Sequence, residues 1–282
     1  MFANIRSVFS GSSKMTRLMI LGGVFITFGL VFVSIFAPVI SPYDPLNLGF
    51  EPLQPPNQNN FFGTDIMGRD LLSRVFYGGR ISLSVAIIST LFSLVVAVLI
   101  GSTFTYIGGK ADRLMILVMD SLWVYPLYLL ALVIVVLFGG SFINLALTVG
   151  IALIPSLYRV VRSLTLSIKE QTFIEAEKSL GAGTGYIVYR HIIPYLVPTF
   201  VVLTSLNMAQ AIIIASSLGF LGLGIPPPTP EWGMDLYLGN RVWLRGEWWC
   251  TFFPALMIFL SVVGLNLLGE GLDSLLKEKE KP

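Results

Sequence analysis

A chain of 282 residues that is 55% apolar and only 12% charged, with a mean hydropathy of +0.80, falls outside the composition of soluble domains, in which about a quarter of residues are charged. These values place it among integral membrane proteins. A net charge of +2 gives no basis for nucleic-acid binding, and the single cysteine, Cys250, cannot close an intrachain disulfide.

Uncharged runs of about 20 residues are long enough to cross roughly 30 Å of hydrocarbon. Such runs occupy residues 18–40, 81–107, 141–158, a stretch within 195–224, and 248–269. Residues 114–138 form a sixth, interrupted only by Asp120. Arg6, Lys14 and Arg17 precede the first run as they would precede a signal peptide, but its apolar core exceeds the roughly 7 to 15 residues of a signal h-region. It is read as a retained span. The expected fold is an all-α integral membrane protein of about six transmembrane helices.

Between the first two spans, residues 41–60 are rich in Pro, Asn and Gln and should be irregular, because proline fixes φ and removes a donor. In the sequence that follows, Thr64 or Asp65 can cap an amphipathic helix carrying Ile66, Leu72, Val75 and Phe76 on one side, lying at the outer membrane interface. Alternatively, Asp65, Arg69 and Asp70 form a polar lock against a partner subunit or close the outer mouth of a pathway.

Basic residues collect on the cytoplasmic side of membrane proteins. With the N-terminus inside, Arg6, Lys14, Arg17, Lys110, Arg113, Arg159, Arg162, Lys169, Lys178, Arg190, Lys277, Lys279 and Lys281 are cytoplasmic, 13 of the 18. Arg69, Arg74, Arg80, Arg241 and Arg245 fall in the two long outer segments. Both termini and residues 175–194 are then cytoplasmic.

That last segment is a polar cassette between spans. Thr172-Phe-Ile-Glu175 fits a capping box. A helix of about two turns should follow, with Gly181 as a left-handed C-cap, then a second short helix from Tyr186 to Ile193 ended by Pro194. Phe173, Ile174 and Leu180 are more apolar than a solvated loop requires, and are expected to plug into a groove on a soluble protein.

At these residues the chain resembles the permease subunits of ABC importers, whose cytoplasmic signature is Glu-Ala-Ala, three residues, Gly and a downstream Pro. Glu175, Ala176, Gly181 and Pro194 match in spacing, and Glu177 stands where the pattern has its second alanine. Further strings extend the likeness over nearly the whole chain: Phe62-Gly-Thr-Asp65, Gly68-Arg-Asp70, Tyr77-Gly-Gly-Arg-Ile-Ser-Leu83, the Phe220 to Gly233 stretch with its Pro-Pro-Pro-Thr-Pro-Glu-Trp run, and Asn266-Leu-Leu-Gly-Glu-Gly-Leu272. Together they are similar to the second permease subunit of dipeptide, oligopeptide and nickel importers. The chain departs from the family's common Asp-Pro ending by finishing in Lys277-Glu-Lys-Glu-Lys-Pro282.

The resemblance implies residues 1–80 as an N-terminal tail, first span and outer loop, and residues 81–282 as the permease transmembrane domain with a coupling segment at 170–194. It implies a homologous second permease, two ATP-binding subunits that hold ATP and Mg, and an extracytoplasmic binding protein. Coupling falls to Glu175, Ala176, Leu180, Gly181 and Pro194. Gly108-Gly-Lys110 lacks the glycine spacing of a phosphate loop, so ATP hydrolysis and its cofactors are expected in partners and none in this chain. Peptides are the favoured cargo, with nickel or oligosaccharides as alternatives.

Polar residues inside spans carry the remaining functional expectations. Asp120 pairs structurally with Trp123, Tyr125, Tyr128 or the nearby Arg113, or else carries a coupling proton, which would make the chain a proton-coupled carrier; a channel and a scaffold are the other rivals. Asn207 and Gln210, three apart on one helical face, and Ser216 beyond them are pathway candidates, with interhelical glue as the other reading. The lone His191 is read as structural.

Overall fold

The computed structural model describes residues 13–279. The expectations placed on Arg6, on Lys281 and on the positions of the two chain ends lie outside the described residues. The described chain is all-α. Helix α1 (Lys14–Ile35) and the short α2 (Ala37–Ile40) lead into an irregular segment, 41–70, followed by α3 (Leu71–Ile107), α4 (Gly109–Trp123), α5 (Leu127–Phe138), α6 (Phe142–Lys169) and α7 (Thr172–Ser179). Then come α8 (Thr184–Phe220), α9 (Trp232–Asn240), a 3-10 turn and α10 (Trp249–Lys279). Among the described residues, helices α1, α3, α6, α8 and α10 are each long and apolar enough to cross a membrane, and α4 with α5, an apolar pair bent at a short break, brings the number to six if the pair is one span. The chain alternates between a loop end, at residues 41–70, and a cassette end, at residues 170–194.

The apolar run at residues 114–138 is not one continuous helix. It breaks at Val124-Tyr-Pro126 and turns through 90°. Pro126 cannot donate to the α4 ladder and pushes the preceding Tyr125 out of the helical region, so the first helix ends and a second begins.

The loop end corrects a second expectation. No separate interfacial helix starts at Thr64 or Asp65: the cap is Asp70, whose Oδ2 accepts the backbone N–H of Ser73 at 2.8 Å, and α3 runs unbroken from there through residues 80 and 81. Thr64 instead pairs with Asp70 in an isolated bridge, while its hydroxyl donates to the Glu51 carbonyl at 2.7 Å. Asp65 closes a turn, accepting the N–H groups of Met67 and Arg69 and the Arg69 side chain at 2.6 Å.

These charges are buried. Arg69 and Arg74 are each 1% exposed. Arg74 pairs with Asp235 of α9, lies 3.6 Å from Asp65, and donates to the carbonyls of Pro45 and Pro228, both at 3.2 Å. Glu231 caps α9 through the N–H groups of Gly233 and Met234 and accepts the Ser82 hydroxyl of α3 at 3.1 Å. Burial pushes its carboxyl above the ordinary range, against the downward pull of those two N–H groups. Trp232 donates its indole N–H to the Val75 carbonyl at 2.8 Å, and Trp249 of α10 donates to the Thr64 carbonyl at 3.2 Å.

The central core joins α3, α5, α6, α8 and α10 through residues such as Val85, Leu145, Val149, Ile212 and Leu218. Close approach is set by small residues: a side chain at Gly150 of α6 would meet the Ser89 carbonyl of α3 at 3.0 Å. The outward faces are the reverse of a soluble protein, with Phe25, Phe28, Leu117 and Leu137 exposed.

Arg74→Ala should therefore strip the partner from buried Asp235 and cost about 3–5 kcal/mol of stability. Thermal unfolding of the detergent-solubilised protein measures this. Arg74→Lys should not restore the wild-type Tm, because one ammonium cannot replace a guanidinium fork bridging a carboxylate and two carbonyls.

Candidate functional site

At the cassette end, α7 is a short exposed helix anchored from one side. Ile174 is fully buried and packs with Ile187, Val188 and Ile192 of α8, Val98 and Tyr106 of α3, and Val161 and Ile168 of α6. This corrects the expectation that Phe173, Ile174 and Leu180 all face a partner. Burial of an isoleucine is worth about 1.5–3 kcal/mol, enough to pin two turns that could not hold as an isolated helix. Phe173 and Leu180 do point outward, Leu180 being 83% exposed, beside the exposed Glu175 and Ala176.

The expected capping box is not formed. Gln171 occupies the N-cap without a side-chain bond, and Thr172 is the first helical residue. The C-terminal end follows the sequence closely: Gly181 has φ +84, its N–H donates to the Lys178 carbonyl, and Ala182 N–H donates to that of Glu177, both at 3.0 Å. Those two bonds form a Schellman cap.

Pro194 does not end a second helix. Residues Val188–Ile192 form a wide π turn in which Ile193 N–H reaches back to the Val188 carbonyl, and the helix continues through Pro194 to Phe220. The wide turn relieves the clash a proline ring makes with the carbonyl four residues earlier. Pro194 thus sets the shape of the return helix.

His191, on that π turn, packs between the rings of Phe173 and Tyr186, with Nε2 3.4 Å from Glu177 Oε1. The contact joins α7 to α8. Lys178 places its ammonium 5.3 Å from the Tyr106 ring centroid, which joins α7 to α3. Nearby, Asp112 of α4 receives Arg162 of α6 through two bonds of 3.1 and 2.8 Å.

A cleft of about 510 Å3 lies at the break between α4 and α5. Trp123, Tyr125, Leu130, Pro155, Asn207 and Gln210 are among its walls. Two of the three pathway candidates meet there. Ser216 does not, being buried against Gly233 nearer the loop end, beside a second cavity of about 490 Å3 that also borders Tyr128 and Phe220. Asp65, Arg69 and Asp70 bond within the loop end rather than presenting free charge. Asp120 pairs with Arg159 of α6 at 2.7 Å, in place of the expected tyrosines or Arg113, and Arg159 stacks 4.4 Å from the Trp123 ring centroid.

Trp123 and Tyr125, expected only as neighbours of Asp120, and Pro155, for which no role is expected from sequence, are further wall residues. The Tyr125-Pro126 step inside an apolar run was the available signal.

Residues 89–280 match the family of binding-protein-dependent transport system inner membrane components. The chain belongs to this family, the permease subunits of ABC importers. It is similar to the glutathione transport system permease protein GsiD of Escherichia coli O6:K15:H31 (strain 536 / UPEC), with 40% identity over 261 residues, covering 89% of this chain and 84% of that protein. It is also similar to the GsiD of Pectobacterium atrosepticum, at 37% identity with the same coverage. Similarity to the di/tripeptide transport system permease protein DppC of Pseudomonas aeruginosa (strain UCBPP-PA14) is 36% over 268 residues, covering 93% and 88%. The permease is thus a multi-pass membrane protein of a transport system.

Two substitutions separate cap geometry from charge. No atom lies within 4 Å of a side chain built at Gly181, so Gly181→Val is strained by its positive φ alone, by at least about 1–2 kcal/mol. Uptake should fall severalfold while membrane insertion survives; unchanged uptake would show that the cap geometry is dispensable. Asp120 and Arg159 are about half exposed, and such pairs contribute little. Asp120→Asn should keep ATP-driven uptake within about twofold of wild type. Abolished uptake in an assembled complex would instead favour a proton-carrying role.

Proposed function

We propose that the permease carries peptides across the cell membrane as the non-catalytic pathway subunit of an importer. It pairs with a homologous second permease, receives substrate from an extracytoplasmic binding protein, and is driven by two ATPase subunits that bind ATP and Mg. The peptide assignment is supported by its similarity to a glutathione transport permease and a di/tripeptide transport permease.

In this reading the cassette end is cytoplasmic and the exposed side of α7 seats in a groove of an ATPase subunit. The observation that carries it is the division of α7 into a buried anchor, Ile174, and an exposed apolar pair, Phe173 and Leu180, on a helix stopped by Gly181. Glu175 and Ala176 lie on the exposed side with that pair, and Pro194 shapes the return segment that supports them. Displacement of α7 by ATPase closure passes through Ile174 to α3, α6 and α8 together, because all three contribute to the cluster around it. That shared contact turns movement of a short helix into rearrangement of the spans.

Labelling with an impermeant maleimide tests orientation and coupling together. Single cysteines replacing Ser179 and Asn57, in a Cys250→Ser background, should react from opposite sides of the membrane. Position 179 should lose reactivity when the ATPase is present, and position 57 should not. Reaction of both from one side, or an unprotected position 179, would overturn the assignment.

A further inference from the structure

The cleft at the α4–α5 break is unlike an ordinary gap between membrane helices. Its depth is central: Pro155 lies thirteen residues from the loop-end start of α6 at Phe142, and Asn207 thirteen from the loop-end terminus of α8 at Phe220, each about 20 Å along its helix. Non-helical backbone at such depth is tolerated only where protein buries it or water reaches it. Here Tyr125 and Pro126 border the cleft, and α5 begins without a side-chain cap.

The side chains repeat that pattern. Among the described residues, the Gln210 amide has no hydrogen-bonding partner. Asn207 donates only to the Leu203 carbonyl of its own helix, at 2.8 Å, which leaves its side-chain oxygen free. Within this chain neither amide bonds to another helix. Trp123 and Tyr125, 48% and 59% exposed, add aromatic surface, and no charged residue borders the cleft.

We propose that this cleft is a transit site for peptides, in which Gln210 and Asn207 exchange hydrogen bonds with peptide amide groups while Trp123 and Tyr125 receive apolar side chains. This rests on the permease reading and deepens it. Each amide offers both a donor and an acceptor, as does each peptide unit, so the pair can meet a peptide without regard to its sequence. A volume of about 510 Å3 is within the usual range of small-ligand sites. No charged residue lines the wall, and the charges beside Trp123, Arg159 and Asp120, answer each other, so the site carries no net preference set by ion pairing. It slows the passage of charged side chains, which are costly to desolvate unpaired.

The test uses the assembled importer in proteoliposomes with its binding protein, supplied with tri-alanine and tri-lysine as probes. Gln210→Glu places a carboxylate in the cleft and should raise the tri-lysine to tri-alanine uptake ratio at least about threefold over wild type. A purely structural role for Gln210 would lower both rates together and leave the ratio unchanged, which would overturn the proposal. As a second measurement, Gln210→Cys in the Cys250→Ser background should react with a methanethiosulfonate reagent and be protected by tri-alanine during turnover. Absence of protection, or inaccessibility in every nucleotide state because a second permease packs there, would also overturn it. A wild-type complex that takes up neither peptide with ATP would fail the permease reading itself, an outcome distinct from failure of the cleft.

Discussion

Two guanidinium groups buried at one end of the molecule set the constraint around which the rest is arranged. Arg69 and Arg74 are shielded from water and answered by Asp65 and Asp235, with backbone carbonyls taking part of the Arg74 fork. Burying charge is costly, and an ion pair in that setting gives little net stability over an apolar replacement. What it enforces is uniqueness of arrangement, since any displacement leaves a buried charge unmatched. Segment 41–70, α3 and α9 meet in this knot, and Trp249 ties α10 to it through the Thr64 carbonyl. The loop end is therefore the part of the molecule with the fewest alternative packings.

The cassette end is joined by different forces. Its principal tie is an apolar cluster around Ile174, supplemented by a cation over the Tyr106 ring and by Arg162 reaching Asp112. Apolar contacts are non-directional and tolerate sliding that a bidentate ion pair does not. The two ends therefore differ in balance: buried ion pairs and carbonyls dominate at the loop end, an apolar cluster with one bidentate pair, Arg162 with Asp112, at the cassette end. The cleft, with a proline break on one side and Pro155 on another, lies between them.

Much of this organisation was legible in the sequence because hydropathy is decided locally. The spans, the two-turn helix and the left-handed Gly181 followed from residue type and order alone. Three of the errors share a cause: each concerned a residue with two possible satisfactions, one local and one distant. Thr64 had the credentials of a helix cap, yet its hydroxyl went to Glu51 and the cap passed to Asp70, which Asn60 also holds. Ile174 read as one of three outward residues because nothing in an eight-residue helix indicates which side the return segment will cover. Asp120 had tyrosines nearby in sequence, while its partner Arg159 was 39 residues away. The Pro194 error was different in kind, because a π turn can absorb a proline that would otherwise stop the helix.

The departure from the family pattern at Glu177 shows the same logic resolved in favour of the fold. An alanine there would ask nothing of its surroundings, whereas a glutamate brings a charge to the junction of α7 and α8. The Glu177 carboxylate lies 3.4 Å from His191 Nε2, whose ring sits between Phe173 and Tyr186, so that the added group brings the short helix against its return segment. The contact spans the Schellman turn at Gly181 and supplements the apolar anchor at Ile174 one turn further along the same side of α7. Two attachments on one helix restrict rotation about its axis as well as translation, which a single buried isoleucine could not do. A helix held in this way keeps its exposed apolar pair aimed in one direction, and a push against that pair is passed into the spans instead of being spent in turning the helix.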